Sequence, residues 1–316
     1  MKNFLSVHDV KDVQKFLKKA MKVKKNPFEY ADLGKNKTIG LIFMNPSTRT
    51  RLSTQRAALN LGMNVMVMNM DKEGWALETQ DGIIMNQNTV EHIKDAAAVM
   101  GKYCEIIGIR SFPKLIDKQE DYSEDFFTKF IKYAKVPIVS LESATLHPLQ
   151  SFADLLTIEE HKKKDRPKVV LSWAPHIKPL PQAVANSFSE WMVKGDVDFV
   201  ITHPKGYELD RKFTGSTPII YDQEKALNNA DFVYVKNWSS YSEYGKILTL
   251  DGSWMLTNEK MKISNDAKVM HCLPVRRNIE LSDEILDGKN SLVVAQAENR
   301  IYSCQTVLKE ILTKNF

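Results

Sequence analysis

The chain of 316 residues is about twice the usual length of a single domain, so we expect one large or two medium domains. Apolar residues make up 43% and charged residues 26%, which excludes long disordered segments, and no apolar run is long enough to span a membrane. The 44 Lys and Arg residues exceed the 39 Asp and Glu residues by five, a mild basic excess that suits an anionic substrate and argues against nucleic acid as a partner.

Targeting signals and cysteine spacing indicate the cellular compartment. Residues 1–5 soon run into charged residues, so they lack the apolar core of a signal peptide. Three widely spaced cysteines, Cys104, Cys272 and Cys304, fit neither a disulfide framework nor a zinc site. We therefore predict a cytoplasmic protein that is not bound to a membrane and uses no metal ion or other cofactor.

Short β-branched runs alternate with segments of helical period through most of the chain. We predict strands at residues 38–44, 64–68, 105–109, 137–141, 168–173, 198–202, 231–236, 268–271 and 291–295. We predict helices at residues 49–61, 90–101, 150–161, 182–192 and 301–312. Because several strand runs are continuously apolar, as in parallel sheets buried on both faces, the pattern predicts an α/β fold with helices on both faces of the sheets. Length and pattern favour two α/β halves with a boundary near residues 150–155.

The most informative segment is FMNPSTRTR at residues 43–51, where an apolar strand ends and an amphipathic helix opens. The free N–H groups and positive dipole end of a helix bind anions. The hydroxyls of Ser47, Thr48 and Thr50 add donors, and Arg49 can form paired hydrogen bonds with phosphate oxygens. The segment therefore indicates phosphate binding, although an ordinary Ser/Thr cap followed by surface arginines would use the same residues.

Three segments together resemble the transcarbamylase family. They are Ser-Thr-Arg-Thr-Arg at 47–51, His-Pro-Leu-Gln at 147–150 and His-Cys-Leu-Pro at 271–274, in the order in which the family carries them. Each is weak alone, but the ordered combination is specific, and the resemblance runs to Glu-Asn-Arg at 298–300. Neither the dinucleotide-binding fingerprint nor a P-loop is present, which argues against the other common phosphate-binding folds.

The resemblance implies a fold class and a domain organisation. It implies two doubly wound parallel-sheet α/β domains, with the active site in the interdomain cleft and at the subunit interface. Residues 1–152 plus 298–316 would form the carbamoyl-phosphate-binding domain, and residues 153–297 the acylornithine-binding domain. The implied partners are carbamoyl phosphate, an N-acylornithine and, in a homotrimer, two further copies of the chain.

The resemblance also implies a reaction, in which a neutral amine attacks the carbonyl carbon of carbamoyl phosphate and phosphate is expelled. The residues implied to bind carbamoyl phosphate are Ser47, Thr48, Arg49, Thr50, Arg110, His147, Gln150, Cys272, Leu273 and Arg300, with His147, Arg49 and Arg110 as the catalytic ones. Taken singly, each has an ordinary alternative. His147 could be a structural turn residue, Cys272 a buried apolar residue and Arg110 a solvated arginine.

The acceptor side resembles the N-acylornithine branch of the family. The loop at residues 74–78 is similar to a loop that a neighbouring subunit donates, although a tryptophan there could also pack between domains. Lys-Asn-Trp at 236–238 stands where ornithine enzymes carry a Ser-Met-Gly loop. The residues implied to bind the acylornithine are Trp75, Val90, Glu142, His176, Lys236 and Arg276.

Val90 bears on the acyl group. Users of acetylornithine resemble one another in carrying Glu before the Glu-His pair at 91–92, and users of succinylornithine in carrying Pro. Val90 matches neither, but it lacks the carboxylate, which favours N-succinylornithine and a role in arginine biosynthesis. The alternatives are an N-acetylornithine enzyme, an ornithine enzyme with an unusual loop, or a catalytically silent trimeric ligand-binding homologue. Val90 could also be a plain core-facing helix residue.

Overall fold

The computed structural model describes residues 1–70 and 72–315. Its α-helices are α1 (Val13–Lys25), α2 (Thr48–Asn60), α3 (Ile93–Tyr103), α4 (Lys118–Ser123), α5 (Asp125–Ala134), α6 (Pro148–His161), α7 (Ala183–Lys194), α8 (Arg211–Thr214), α9 (Gln223–Leu227), α10 (Asn258–Met261), α11 (Asp283–Leu286) and α12 (Val293–Asn315). Its strands are β1 (Thr38–Phe43), β2 (Asn64–Asn69), β3 (Leu77–Glu78), β4 (Glu91–His92), β5 (Ile106–Arg110), β6 (Ile138–Glu142), β7 (Lys168–Trp173), β8 (Asp198–Thr202), β9 (Phe232–Lys236) and β10 (Lys268–Met270). None of the helices in these ranges is long and apolar enough to cross a membrane.

The first of two compact units, unit 1, consists of the described residues within Met1–Asp12, Lys18–Leu149 and Arg300–Phe316. Its sheet has the strand order β2-β1-β5-β6, with every pair parallel. Strands β5 and β6 are buried along their whole length, as their continuous apolar sequences predict. A core cluster that includes Ile107, Phe130 and Ile138 packs β5 and β6 against α3 and α5.

Unit 2 consists of Val13–Leu17 and Gln150–Asn299. Its sheet has the order β10-β9-β7-β8 and is again parallel throughout. A buried cluster that includes Val170, Val233 and Val269 forms the core beside the sheet. Because all strands of a parallel sheet end at one edge, the loops after β7, β9 and β10 gather there, the edge at which such sheets bind ligands.

A small third sheet belongs to unit 1. Strands β3 and β4 pair in parallel, with Leu77 opposite Glu91 and Glu78 opposite His92. The Val90 amide donates to the Ala76 carbonyl at 3.1 Å and extends this pairing by one step. The two strands therefore hold residues 75–78 beside residues 90–92.

The α/β prediction with parallel sheets is confirmed, and three predicted elements are wrong in part. Residues 291–295 were predicted as a strand, but only the start of this run lies beside β10, through the Leu292 amide to the Val269 carbonyl at 2.8 Å. Helix α12 begins at Val293, well before the predicted residue 301. A short apolar run does not distinguish a strand from a buried helix, since both exclude polar residues. The predicted helix at 90–101 begins only at Ile93, because Glu91 and His92 form β4.

Candidate functional site

The phosphate-binding candidates lie where β1 leads into α2 in unit 1. Ser47 is the N-cap of α2, and its hydroxyl accepts a hydrogen bond from the Thr50 amide at 3.3 Å. The first turn of α2 carries no acidic residue, so nothing there offsets the positive end of the helix dipole. Thr48 is exposed and Arg49 half-buried. This turn has the geometry and charge of an anion site.

Arg300 of α12 lies beside the same turn. Its Nη2 donates to the Thr50 hydroxyl at 2.6 Å, and both side chains are buried. The contact joins residues 250 positions apart in the chain. Unit 1 therefore brings the predicted Arg300 to the first turn of α2 and adds a second guanidinium there.

Arg110, the last residue of β5, connects the loop before α2 to β6. Its Nη1 donates to the Asn45 and Pro46 carbonyls at 3.0 and 2.7 Å. Its Nε and Nη2 lie 3.2 and 3.1 Å from Glu142 Oε2. Both side chains are buried, so the ion pair is poorly screened by solvent. Arg110 thus fixes the loop before α2, and Glu142 lies opposite its charge.

His147 directly precedes α6 and is buried near the same carboxylate. Its Nε2 lies 3.5 Å from Glu142 Oε2, longer than an ordinary hydrogen bond, and its Nδ1 has no hydrogen-bond partner among residues 1–70 and 72–315. Burial, followed by the positive charges of Arg300 and Arg110, holds the pKa of His147 well below its ordinary value. At neutral pH the imidazole is therefore uncharged and carries one N–H.

In unit 2 the predicted loop at 271–274 follows β10. The Leu273 amide donates to His271 Nδ1 at 2.9 Å, and Leu273 has a φ of 53°, a conformation that is uncommon for a residue other than glycine. The Leu273–Pro274 peptide bond is cis. The His271 amide donates to Gln296 Oε1 at 2.9 Å. These contacts define the backbone of Cys272 and Leu273, whose carbonyls are the predicted carbamoyl acceptors.

A buried carboxylate, Glu280, supports the acceptor-side candidates of unit 2. Its Oε1 lies 3.3 Å from His271 Nε2, and its Oε2 accepts from the Arg276 amide at 2.8 Å. Burial opposes ionisation of Glu280, but the contact with His271, the charge of Lys236 and the Arg276 amide outweigh it and lower the pKa to about 2. Glu280 is thus an anion that balances the charge of buried Lys236.

Unit 2 brings His176 and Arg276 together. Arg276 Nε lies 3.1 Å from His176 Nε2, and because a guanidinium can only donate, Nε2 is the acceptor. His176 Nδ1 lies 2.8 Å from the Lys178 carbonyl oxygen and 3.1 Å from the Lys178 amide nitrogen. The imidazole is held from both sides, which fixes the direction in which Arg276 points.

Gln150 lies in the first turn of α6. Its Nε2 donates to Asp154 Oδ1 at 2.8 Å, while its Oε1 is buried without a hydrogen-bond partner in the described part of the chain. A buried carbonyl oxygen without a donor is costly, so this atom is suited to accept from a ligand.

Trp75 and Val90 lie together on the β3–β4 sheet and face solvent. Trp75 is 53% exposed and Val90 is 66% exposed. The Trp75 indole N–H donates to Glu91 Oε2 at 2.8 Å, and Glu91 is not among the predicted site residues. The alternative of Val90 as a core-facing helix residue is wrong, because Val90 is exposed and precedes α3.

Sequence reasoning missed three buried polar residues that support the candidates: Asp154, Glu280 and Gln296. Asp154 had a detectable signal, since a carboxylate within the apolar run of α6 predicts a buried, hydrogen-bonded group. Gln296 offered the same signal, since it follows the apolar run at 292–295, whereas Glu280 stands close to Arg276, Arg277 and Asn278 and offered none. In the described ranges, no group of three or more His, Cys, Asp or Glu side chains is arranged to hold a metal ion.

Two family models match most of the chain. Residues 2–160 match the carbamoyl-P binding domain of aspartate/ornithine carbamoyltransferase, and residues 181–311 match the Asp/Orn binding domain of the same family. The first range contains β1–β6 with the α2 turn, and the second contains the loops after β9 and β10.

Individual relatives match over nearly the full length. The chain is 52% identical to the N-succinylornithine carbamoyltransferase of Bacteroides thetaiotaomicron, with 99% of each chain covered. It is 33% identical to the N-acetylornithine carbamoyltransferase of Xanthomonas axonopodis pv. citri, over 89% of this chain and 88% of that one. A solved N-acetyl-L-ornithine transcarbamylase, a mutant with valine in place of a glutamate in complex with carbamyl phosphate and N-succinyl-L-norvaline, superposes with a TM-score of 0.91 at 31% identity, covering 98% of this chain and 100% of that one. The chain belongs to the aspartate/ornithine carbamoyltransferase family.

Proposed function

We propose that this chain transfers the carbamoyl group of carbamoyl phosphate to the side-chain amine of N-succinyl-L-ornithine, giving N-succinyl-L-citrulline and phosphate. The observation that carries the reaction class is the buried group of Arg110, Glu142 and His147 beside the anion-binding turn of α2. It combines positive charge for a phosphate with an uncharged imidazole for a carbonyl. We propose that the reaction serves arginine biosynthesis in the cytoplasm.

The phosphate is the leaving group, and negative charge accumulates on it as the bond from the carbonyl carbon to the phosphate oxygen breaks. Arg49, Arg110 and the hydroxyls of the α2 turn would bind that charge more strongly in the transition state than in the ground state. Arg300, 2.6 Å from the Thr50 hydroxyl, adds a further guanidinium at the same turn. Much of the remaining acceleration comes from holding the two substrates together.

The carbamoyl group needs both donors and acceptors. The single N–H of uncharged His147 would donate to the carbonyl oxygen and stabilise the oxyanion that forms when the amine attacks. Gln150 Oε1 and the Cys272 and Leu273 carbonyls would accept from the carbamoyl NH₂. As the new N–C bond forms and the bond from the carbonyl carbon to the phosphate oxygen breaks, the attacking nitrogen loses a proton, which the departing phosphate accepts.

The acceptor is N-succinylornithine in this proposal. Its distal carboxylate requires a cation and no competing anion, and Lys236 and Arg276 are the candidate cations. Val90 is apolar where acetylornithine users carry Glu. The 52% identity to an N-succinylornithine carbamoyltransferase, against 33% to an N-acetylornithine carbamoyltransferase, supports the same choice. His176 and Glu142 would line the ornithine portion.

We further propose a homotrimer in which each subunit lends the β3–β4 sheet to its neighbour. A tryptophan that is 53% exposed and a valine that is 66% exposed on one small sheet are costly to leave in water unless they contact a ligand or another chain. Trp75 and Val90 would then border the acyl group in the neighbouring subunit's site.

Parallel assays with three acceptors test the proposal. Carbamoyl phosphate is supplied with ornithine, N-acetylornithine or N-succinylornithine, and kcat/KM for citrulline formation is measured for each. We expect the highest value with N-succinylornithine. A higher value with N-acetylornithine would favour the alternative function, an N-acetylornithine carbamoyltransferase. The likeness to N-acetyl-L-ornithine transcarbamylase structures supports that alternative. No product with any acceptor would identify a silent homologue.

A further inference from the structure

A buried row of polar side chains runs from α6 to the loop after β10 within unit 2. Gln150 Nε2 and Gln296 Nε2 both donate to Asp154 Oδ1, at 2.8 and 2.7 Å. Gln296 Oε1 accepts from the His271 amide at 2.9 Å. Gln150, Asp154 and Gln296 are each 1% exposed or less. One carboxylate oxygen therefore connects the Gln150 amide to the backbone at the start of the 271–274 loop.

This row determines which end of the Gln150 amide is available to a ligand. A carboxylate can only accept, so Asp154 requires the NH₂ end of Gln150 to face it. The Oε1 end is then directed away from Asp154 and is buried without a partner in the described ranges. In the absence of Asp154 the side-chain amide of Gln150 could flip and present its NH₂ end to the ligand. Because an NH₂ group only donates hydrogen bonds, this end would repel the NH₂ group of a carbamoyl ligand.

The same constraint applies at Gln296. Because its NH₂ faces Asp154, its Oε1 is directed at the His271 amide and secures the residue that precedes Cys272 and Leu273. Burial, followed by Asp154 and Cys272, raises the pKa of Tyr234 well above its ordinary value. The Tyr234 hydroxyl therefore stays protonated beside Asp154. A second negative charge is thus not buried next to this carboxylate.

We infer that Asp154 and Gln296 are positioning residues that orient three oxygen acceptors, Gln150 Oε1 and the Cys272 and Leu273 carbonyls, toward the carbamoyl NH₂. The inference rests on the proposed function, because it takes the carbamoyl group as the ligand of these acceptors. Neither Asp154 nor Gln296 touches the substrate. Each acts through a side chain or backbone that does.

Substitutions at Asp154 separate orientation from bulk. Asp154→Leu keeps the branched shape and the number of side-chain heavy atoms and removes the acceptor, and we expect kcat to fall roughly 100-fold, as for the loss of one aligned polar contact in the transition state. Asp154→Asn keeps one carbonyl oxygen that can accept from both glutamines, and we expect kcat within about 5-fold of the parent. Because Asn also preserves the packing of Asp154, a control at another buried glutamine is needed to separate orientation from packing.

Gln296→Leu provides a second, independent variant if Asp154→Leu does not fold. We expect its kcat to fall about 10-fold, because the His271 amide loses its acceptor while Gln150 stays oriented. The Kd of inorganic phosphate, measured by calorimetry, should stay within about 2-fold in all three variants, since Ser47, Arg49 and Thr50 belong to unit 1. The Tm of each variant, measured by calorimetry alongside, shows whether unit 2 itself is folded.

The matched control is Gln223→Leu, at another buried glutamine of unit 2. Gln223 Nε2 donates to the Ser172 hydroxyl at 2.8 Å and to the Trp254 carbonyl at 3.0 Å, and it belongs to none of the candidate groups. We expect a lower Tm and a kcat within about 2-fold of the parent. Parental kcat in Asp154→Leu and Gln296→Leu would overturn the inference, and so would an equal loss in Gln223→Leu. A parent protein that forms no citrulline product would overturn the proposed function instead.

Discussion

Buried charges of unit 1 lie within hydrogen-bonding or ion-pair distance of each other. Glu142 pairs with Arg110 and lies 3.5 Å from His147 Nε2, so each buried charge reduces the cost of burying the other. Removing one member leaves the rest uncompensated. Variants at Glu142 or Arg110 are therefore expected to lose stability as well as activity, whereas half-buried Arg49 offers a cleaner test.

Arg49→Ala should lower turnover with little effect on folding. The side chain is proposed to form a charge-assisted contact with the leaving phosphate, and losing such a contact costs roughly 3–4 kcal/mol, or two to three decades in kcat. The measurement is kcat at saturating carbamoyl phosphate. Arg56→Ala, at an exposed arginine two turns further along α2, is the control and should match the parent. Near-normal turnover in Arg49→Ala would remove Arg49 from the phosphate site.

His147 should make the folded protein sensitive to acid. Burial, Arg300 and Arg110 hold its pKa well below 6.5, so below pH 6.5 the unfolded chain takes up a proton that the folded protein refuses. The stability associated with uncharged His147 is thus present above pH 6.5 and lost as the pH falls below it. In His147→Gln, the slope of the unfolding free energy between pH 6.5 and about pH 5 should decrease by up to about 1.4 kcal/mol per pH unit. Urea unfolding at several pH values measures it, and parallel slopes for parent and variant would contradict the assignment.

The candidate residues that sequence could identify are those that lie in short local motifs. Arg49 and His147 stand within recognisable segments, and the order of those segments along the chain was enough to identify both residues as candidates. Asp154 and Gln296 are 142 positions apart, and their hydrogen bond exists only because α6 and α12 meet in the fold. A single sequence contains no record of that pairing.

At the scale of elements, the β3–β4 sheet carries the acyl prediction. Val90→Glu would introduce a carboxylate near the proposed succinyl position, and two like charges at about 5 Å and an effective dielectric near 20 repel by roughly 3 kcal/mol. The succinylornithine kcat/KM should fall by about two decades, and acetylornithine use should rise relative to it. The measurement is kcat/KM for both acceptors in parent and variant.

The control for that variant is Val99→Glu, which introduces the same charge at an exposed valine of α3. Its acetyl-to-succinyl ratio should equal that of the parent. An unchanged ratio in Val90→Glu would remove Val90 from the acyl pocket.

Element prediction succeeded at the strand runs 168–173 and 198–202 and failed at the run 291–295. The predicted strand at 168–173 matches β7 because six consecutive residues, five of them fully buried, require a strand with two covered faces. The run at 291–295 is divided between a bridge to β10 and the first turn of α12. Leu292 and Val293 are both apolar, so hydrophobicity alone does not indicate where the bridge to β10 ends and the helix begins.

At the scale of the whole molecule, subunit complementation tests the proposed trimer. Trp75→Ala and Arg49→Ala chains should each be inactive alone. Mixed trimers should recover part of the activity, because some sites combine an intact Arg49 with an intact Trp75 from the neighbour. Activity is measured after subunit exchange has been verified by mass. No recovery would assign Trp75 to its own subunit's site or to no site.

Unit 1 is built from segments at both ends of the chain, and this affects the order in which its contacts form during synthesis on the ribosome. Arg300 donates a hydrogen bond to Thr50, Asn60 donates one to Gln305, and Leu308 is fully buried. Residues near the start of the chain therefore gain these contacts only when residues near its end have been synthesised. A nascent chain arrested at residue 290 would contain every strand of both sheets, yet its α2 turn would lack the guanidinium supplied by α12. The proposed anion site therefore receives its Arg300 guanidinium only after every residue of unit 2 has been synthesised.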